Sequence, residues 1–186
     1  MDKTEAEKNY PTRWWGDSKE SIKNKKTKII KKVQKKPLNT KDLEKCLSYS
    51  PHFLGAFSSD QILSLRFKQF PISFIVNLQP SWSQGSHWLS IWIDQQNVEI
   101  FDSFGFDPNI WARFPRRLFR FLSRFKYSHK LKISPVCQSP NSHYCGLFCI
   151  YFICKRPLWT FEKCCAKLKS KNYYRSFRKA CTLVLE

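Results

Sequence analysis

Hydrophobic residues alternate or cluster in three stretches in the middle of the chain, and each stretch predicts a β-strand. Residues 72–79 follow Pro71 and are rich in branched and aromatic side chains. Residues 88–94 alternate between apolar and polar positions, and residues 98–104 continue with a similar composition. The polar break at residues 95–97 is expected to turn the chain, so that the second and third stretches form a hairpin.

Apolar residues recur with the period of an α-helix in residues 109–126, which predicts a helix with these side chains on one face. The opposite face carries five arginines: Arg113, Arg116, Arg117, Arg120 and Arg124. The remaining pattern predicts a short strand and then three helices, at residues 131–136, 145–155, 160–169 and 173–182. The predicted fold class is therefore α+β, with a small mixed or antiparallel central sheet surrounded by helices.

Charge divides the chain into two parts. The 186 residues carry a formal net charge of +19, and the stretch from Lys19 to Lys36 holds nine lysines and one acid. We expect residues 1–41 to form a flexible basic arm that binds polyanions or directs nuclear import, and residues 42–186 to form the folded domain. A disordered, solvated tail without a partner is the alternative interpretation of the arm.

The lengths of the apolar runs and the number of cysteines bear on the cellular compartment of the protein. The longest apolar run, residues 145–154, is too short to span a bilayer, so no membrane partner is expected. The polar first residues predict no secretion signal. We therefore expect the eight cysteines to lie in a reducing, intracellular environment, where they are reactive or buried and not paired in disulfides.

The sequence QSPNSHYCGLFC, residues 138–149, predicts a reactive cysteine. A loop with Pro140 and Asn141 delivers Cys145 to the first turn of an apolar helix. Free backbone N–H groups and the positive end of the helix dipole favour a thiolate at that position. Gly146, directly after it, is expected to let a substrate backbone approach closely.

A thiolate nucleophile also requires a proton acceptor and a group that orients the acceptor. His87 lies at the start of the second predicted strand, and Asp102 lies towards the end of the third. A turn at residues 95–97 places the two residues nearly opposite each other, and cross-strand neighbours are ~5 Å apart at Cβ. The pattern thus predicts a Cys-His-Asp triad.

Each of these residues also has a structural interpretation. Cys145 can be a small buried apolar residue, His87 a structural histidine and Asp102 a cap at a strand end. A zinc site is a further alternative, but its candidate ligands lack the paired C-x2-C spacing of such sites, so no metal is predicted. Those candidates are Cys145, Cys149, Cys154, Cys164, Cys165 and His143.

Four segments of the chain resemble adenain, the cysteine protease family of adenoviruses, with relatives in other DNA viruses and virus-like transposons. They are PHFLGAF (51–57), GSHWLSIW (85–92), IFDSFGF (100–106) and QSPNSHYCGLFC (138–149), and they occur in the family's order. The resemblance implies an adenain or ubiquitin-like-protease type of fold, with the nucleophilic cysteine at a helix N-terminus.

The resemblance also implies roles for individual residues. His87 matches the general base, Cys145 the nucleophile and Gln138 the glutamine that helps to form the oxyanion hole. Asp102 occupies the position at which adenovirus enzymes carry a glutamate. Trp88 is expected to wall the site, and the substrate is expected to contact a group of four residues: Phe53, Leu54, Gly55 and Ala56.

By resemblance, the chain is expected to be a cysteine endopeptidase that cleaves viral capsid or core precursors after glycine-containing motifs during virion maturation. It would act as a monomer in the virion and the host nucleus, without a cofactor for the chemistry, and with DNA and a viral peptide as activators. The family's peptide forms a disulfide with the enzyme, but residues 126–132 contain no cysteine, so covalent activation is not expected. The arginine face predicts sequence-independent binding to duplex DNA.

Two alternatives remain open. A deubiquitinating or deSUMOylating isopeptidase shares the catalytic order of the same clan. A basic DNA-binding structural protein could retain the fold without catalysis.

Overall fold

A five-stranded mixed sheet forms the centre of the protein in a computed structural model that describes residues 18–105, 116–169 and 172–185. The strands lie side by side in chain order, and the three central strands are antiparallel, whereas each edge strand runs parallel to its neighbour. They are β1 (Phe53–Ser58), β2 (Ile72–Asn77), β3 (Trp88–Ile93), β4 (Asn97–Phe101) and β5 (Lys130–Ile133). This α+β architecture confirms the predicted fold class.

Both faces of the sheet are covered, which explains why every residue of β2 and β3 is buried. Alternate side chains point to opposite faces. Ile75, Trp92 and Phe101 contribute to one core, and Phe74 and Ile91 contribute to the other.

Five helices contribute to the first core, and α3 contributes to the second. The helices are α1 (Lys19–Val33), α2 (Thr40–Leu47), α3 (Arg116–Leu122), α4 (Cys145–Lys155), α5 (Phe161–Leu168) and α6 (Tyr173–Leu185). Almost all of α4 is buried, because it contacts β2, β3, α2 and α6. None of the helices in the described residues is long and apolar enough to cross a membrane.

The lysine-rich segment differs from the predicted flexible arm. Residues Lys19–Val33 form α1, and Ile29, Ile30 and Val33 are buried in the first core. These apolar residues form one stripe of the helix, and the long aliphatic stems of lysines can flank such a stripe while their charges stay in water. The predicted boundary at residue 42 falls inside α2, so it does not mark the start of the fold. Residues 1–17 of the predicted arm lie outside the described residues.

The arginine-bearing helix is confirmed in its second half. Residues Arg116–Leu122 form α3, and a 3-10 turn at Ser123–Phe125 follows directly. Leu118, Phe121 and Phe125 are buried against the sheet. The predicted first half, which contains Arg113, lies outside the described residues.

Candidate active site

The predicted nucleophile begins the central helix. Cys145 is the first residue of α4, after the N-cap residue Tyr144, and its residue surface is 6% exposed. The first N–H groups of a helix have no partner within the helix, so they can donate hydrogen bonds to an anion beside Cys145.

His87 and Asp102 are brought into direct contact. The Nε2 atom of His87 lies 2.7 Å from Oδ1 of Asp102, and both residues are buried. The same carboxylate oxygen accepts a hydrogen bond from the backbone N–H of Phe104, and the Phe104 ring lies 4.5 Å from the imidazole. The Ser134 hydroxyl bonds to both the N–H and the carbonyl of Asp102, at 2.8 Å each. The imidazole is therefore oriented by an aspartate whose carboxylate is held by Phe104 and whose backbone is held by Ser134.

The hairpin register differs from the predicted one by two residues. The observed pairing of Ser90 with Phe101 implies that Asp102 would face residue 89, so His87 is its diagonal neighbour. Diagonal neighbours lie on the same face of the sheet, which preserves the contact. The observed turn is centred between Gln95 and Gln96, one residue later than direct pairing would require, and the Asp94 carboxylate stabilises it by accepting the N–H groups of Gln96 and Asn97.

Two neighbours determine the charge state of His87. Burial alone would lower the pKa of His87, but its interactions with Asp102 and Cys145 raise the pKa to about 9. The other ring nitrogen, Nδ1, is buried and has no hydrogen bond of regular geometry within the described part of the chain. The imidazole thus favours its protonated form at neutral pH, with Asp102 on one nitrogen and the second nitrogen available.

Gln138 is fixed in the loop that precedes Cys145. Its Oε1 accepts a hydrogen bond from the Ser103 hydroxyl at 2.6 Å, and its Nε2 donates to the carbonyl of Ser142 at 3.0 Å. An amide nitrogen carries two protons, so a second proton of Nε2 is left for another acceptor. The backbone N–H groups of Cys137 and Gln138 both bond to the carbonyl of Ser103, which ties this loop to the residue after Asp102.

An open cleft of about 460 Å³ reaches Cys145. Among the described residues that line it, none is Asp, Glu, Lys or Arg, although the chain is strongly basic. One part of its lining is the loop between β2 and β3, which contains Ser81. The Asp60 carboxylate, which follows β1, accepts hydrogen bonds from both the N–H and the hydroxyl of Ser81. Trp88, predicted to wall the site, does line the cleft. The described lining of the cleft thus contains no side chain of permanent charge.

Several predicted substrate contacts lie elsewhere. Phe53 and Ala56 on β1 are buried in the first core, and Leu54, although exposed, does not line the cleft, nor does Gly55. Gly146 is also directed into the protein, since a Cβ at this position would lie 3.1 Å from Cβ of Leu38. The absence of a side chain at Gly146 therefore allows α4 to pack against the protein's own N-terminal segment, not against a substrate.

The four described arginines of the predicted DNA-binding face are exposed. Arg116 and Arg120 project from α3, and the Arg117 guanidinium lies 5.4 Å from the ring centroid of Trp82. Arg124 donates to the carbonyl of Leu65 at 3.1 Å. Arg113 lies outside the described residues.

Sequence reasoning missed the residues that hold the site together. Ser103, Phe104 and Ser134 each contact a predicted catalytic residue or its neighbour. Ser103 and Phe104 directly follow Asp102, so their position in the chain was the only available signal. Ser134 comes from the distant strand region after β5, and no local pattern marks it.

The zinc alternative has no geometric counterpart. Within residues 18–105, 116–169 and 172–185, no three His, Cys, Asp or Glu side chains are grouped so that they could hold a metal ion.

Comparison with known proteins places these residues in a family context. Residues 53–166, which include His87, Asp102, Gln138 and Cys145, match the family described as adenovirus endoprotease. The chain belongs to the adenovirus endoprotease family. It is also similar to a protein named "Protease" from Bovine adenovirus 2, with 30% identity over 123 residues, which cover 58% of this chain and 56% of the relative. The chain therefore spans little more than half the length of that relative, and the endoprotease family match begins after α1 and α2.

Proposed function

We propose that this chain is a cysteine endopeptidase in which Cys145 is the nucleophile and His87 the general base. The observation that carries the proposal is that the buried imidazole of His87 favours its protonated form beside Asp102 and Cys145. Asp102 holds Nε2 at 2.7 Å, and Cys145 contributes to raising the pKa of His87 to about 9. A thiol beside an imidazole that retains a proton is the arrangement of a thiolate–imidazolium pair.

The reaction follows from these positions. In the thiolate–imidazolium pair, Nδ1 of His87 holds the proton that came from Cys145, and the thiolate sulfur attacks the carbonyl carbon of the scissile peptide bond. The carbonyl oxygen becomes an oxyanion, which accepts hydrogen bonds from the backbone N–H of Cys145 and from the second proton of Gln138 Nε2. His87 then gives its proton to the leaving amine, and the C–N bond breaks. Water activated by His87 hydrolyses the remaining thioester and regenerates the thiol.

Asp102 and Ser103 act through their neighbours in this scheme. Asp102 fixes the ring orientation and stabilises the imidazolium, as the carboxylate of a Ser-His-Asp triad does. Ser103 donates to Oε1 of Gln138, which turns the amide nitrogen towards the loop that carries Cys145. An oxyanion donor that is already oriented costs no reorganisation during the reaction.

The proposed substrates are viral capsid or core precursors that are cleaved after glycine-containing motifs during virion maturation. Family membership supports the class, and the described cleft lining, which contains no Asp, Glu, Lys or Arg, supports a peptide segment of uncharged residues. The proposed locations are the virion and the host nucleus, with the protein acting as a monomer.

Duplex DNA is the proposed activator, and it would bind the exposed arginines of α3. Such binding is sequence-independent and weakens steeply with salt, because phosphate contacts release condensed counterions. A viral peptide activator would have to bind without a disulfide, because residues 126–132 contain no cysteine.

A substrate-profiling digest tests the proposal. Purified protein is incubated with a proteome-derived peptide library, with and without DNA, and the new termini are identified by mass spectrometry. We expect cleavage after glycine that DNA accelerates and that Cys145→Ala abolishes. Trapping by a ubiquitin-like suicide probe without cleavage of the library would favour the isopeptidase alternative. The absence of both activities would favour a structural DNA-binding protein.

A further inference from the structure

The chain segment that joins α1 to α2 reaches the candidate active site. Pro37, Leu38, Asn39 and Thr40 line the same cleft as Cys145. This segment precedes residue 53, where the match to the endoprotease family begins. The cleft wall is therefore built partly from a region that the family comparison does not cover.

Two residues beside the catalytic pair hold this segment in place. The indole N–H of Trp88, the residue after His87, donates to the carbonyl of Leu38 at 2.9 Å. Nε2 of His143, two residues before Cys145, donates to the carbonyl of Val33 at 2.7 Å. The segment is thus bonded to the residue after the base, and the end of α1 that precedes the segment is bonded to a residue near the nucleophile.

Packing brings the segment close to α4. Leu38 is 3% exposed, and a Cβ on Gly146 would lie within 3.3 Å of its side chain and of Leu43. Real Cβ atoms rarely have neighbours so close, so the glycine permits this approach. Leu38 is consequently an apolar anchor for the wall.

The turn into α2 is fixed by polar contacts. Asn39 and Asp42 form a reciprocal capping box, and Lys32 of α1 bonds to the Asp42 carboxylate. These contacts place Thr40 at the first position of α2, with its surface exposed and at the cleft.

We propose that residues 37–40 form a specificity-determining wall of the peptide-binding cleft, with Thr40 facing a side chain of the bound substrate. The partner is a peptide segment with an uncharged residue at the facing position, since the described lining contains no Asp, Glu, Lys or Arg. This inference rests on the proposed endopeptidase function and adds the residues that select its substrate.

Charge substitution at Thr40 tests the proposal. Thr40→Glu and Thr40→Lys introduce opposite charges at the cleft, and the first also suits the N-terminal turn of a helix. Gln34→Glu is the matched control, because Gln34 is exposed in the same segment and does not line the cleft. Each variant is profiled with one peptide library in which every position around the cleavage site is varied.

The readout is the ratio of cleavage rates for Lys-containing and Glu-containing peptides, which does not depend on the fraction of folded enzyme. We expect Thr40→Glu to raise this ratio roughly fivefold at one substrate position and Thr40→Lys to lower it there, in line with exposed ion pairs. Gln34→Glu should keep the wild-type profile. Unchanged profiles in both Thr40 variants, with an active wild type, would overturn the wall alone. An unmodified protein that cleaves no peptide would overturn the endopeptidase function and this inference with it.

Discussion

The two faces of the sheet present different kinds of surface. One face supports five helices and an apolar core that includes Cys145, which also lines a cleft without Asp, Glu, Lys or Arg among its described residues. The other face is covered in its described part by the segment between β1 and β2 and by α3 with its following turn. Helix α3 and this turn bury phenylalanines and expose arginines. Bond-making chemistry depends on distances fixed by packing, whereas phosphate binding depends mainly on the number of exposed charges. The two proposed activities should therefore be separable by mutation.

Cys145→Ala gives the largest expected effect. Loss of the nucleophile should reduce kcat by about 10⁵- to 10⁶-fold, as in hydrolases that lose their nucleophile. DNA affinity should stay unchanged, because the arginines lie on the other face. Peptide cleavage and fluorescence anisotropy with labelled duplex DNA measure the two properties. Cys181→Ala, on α6, is the control that should retain both. A parallel loss of DNA binding in Cys145→Ala would contradict the separation of the faces.

Asp102→Asn should have a smaller effect on the same face. An amide keeps the shape of the carboxylate but cannot stabilise the imidazolium, so kcat should fall by about 10²- to 10⁴-fold. Steady-state kinetics provide the measurement. Glu162→Gln removes a carboxylate from an exposed ion pair with Lys132 and should retain wild-type kinetics. Activity within twofold of wild type in Asp102→Asn would remove Asp102 from the site.

The pH profile separates thiolate formation from proton donation. The pKa of His87 is raised to about 9, so the imidazolium is present below that pH and is lost above it. Peptide cleavage should decline as pH rises through about 9, because the leaving amine then lacks its proton donor. Alkylation of Cys145 should not decline, since alkylation requires no proton donor. In Asp102→Asn the decline should move to lower pH, because Asp102 helps to raise the pKa of His87. A common decline of cleavage and alkylation would contradict this assignment.

Substitution of arginines on α3 gives the smallest expected effect. Arg116→Gln with Arg120→Gln should reduce the slope of log affinity against log salt by about 0.9 for each phosphate that is no longer neutralised, with DNA-free cleavage unchanged. Titrations of labelled duplex at several salt concentrations measure the slope. Lys23→Gln with Lys28→Gln on α1 is the matched pair, with the same loss of charge at a different surface. An equal or larger change in the lysine pair would move the DNA site away from α3.

The sequence was informative where local chemistry and local pairing determine the structure. The bounds of α4 and the contact between His87 and Asp102 follow from an apolar run and from one hairpin. The register differs by two residues because the position of the turn depends on hydrogen bonds to the Asp94 carboxylate. The pattern of apolar residues does not contain such side-chain contacts.

Contacts between residues far apart in the chain could not be predicted from the sequence. The many lysines of residues 19–36 favoured the prediction of a flexible arm. Ile29, Ile30 and Val33 stabilise a helix there only because α2 and α6 cover them. For the same reason Gly146 was assigned to the substrate, although its neighbour Leu38 lies more than a hundred residues earlier in the chain.

The central claim is that His87 activates Cys145 among eight cysteines. Burial raises the pKa of seven of them, which slows their alkylation at neutral pH: Cys46, Cys137, Cys149, Cys154, Cys164, Cys165 and Cys181. The most direct measurement is the rate of iodoacetamide labelling at each cysteine of the folded protein, followed by mass spectrometry. We predict that Cys145 reacts first, and that His87→Ala slows it at least tenfold, on the order expected for loss of a general base, while the other seven rates stay the same. Faster labelling of another cysteine, or an unchanged Cys145 rate in His87→Ala, would contradict the claim.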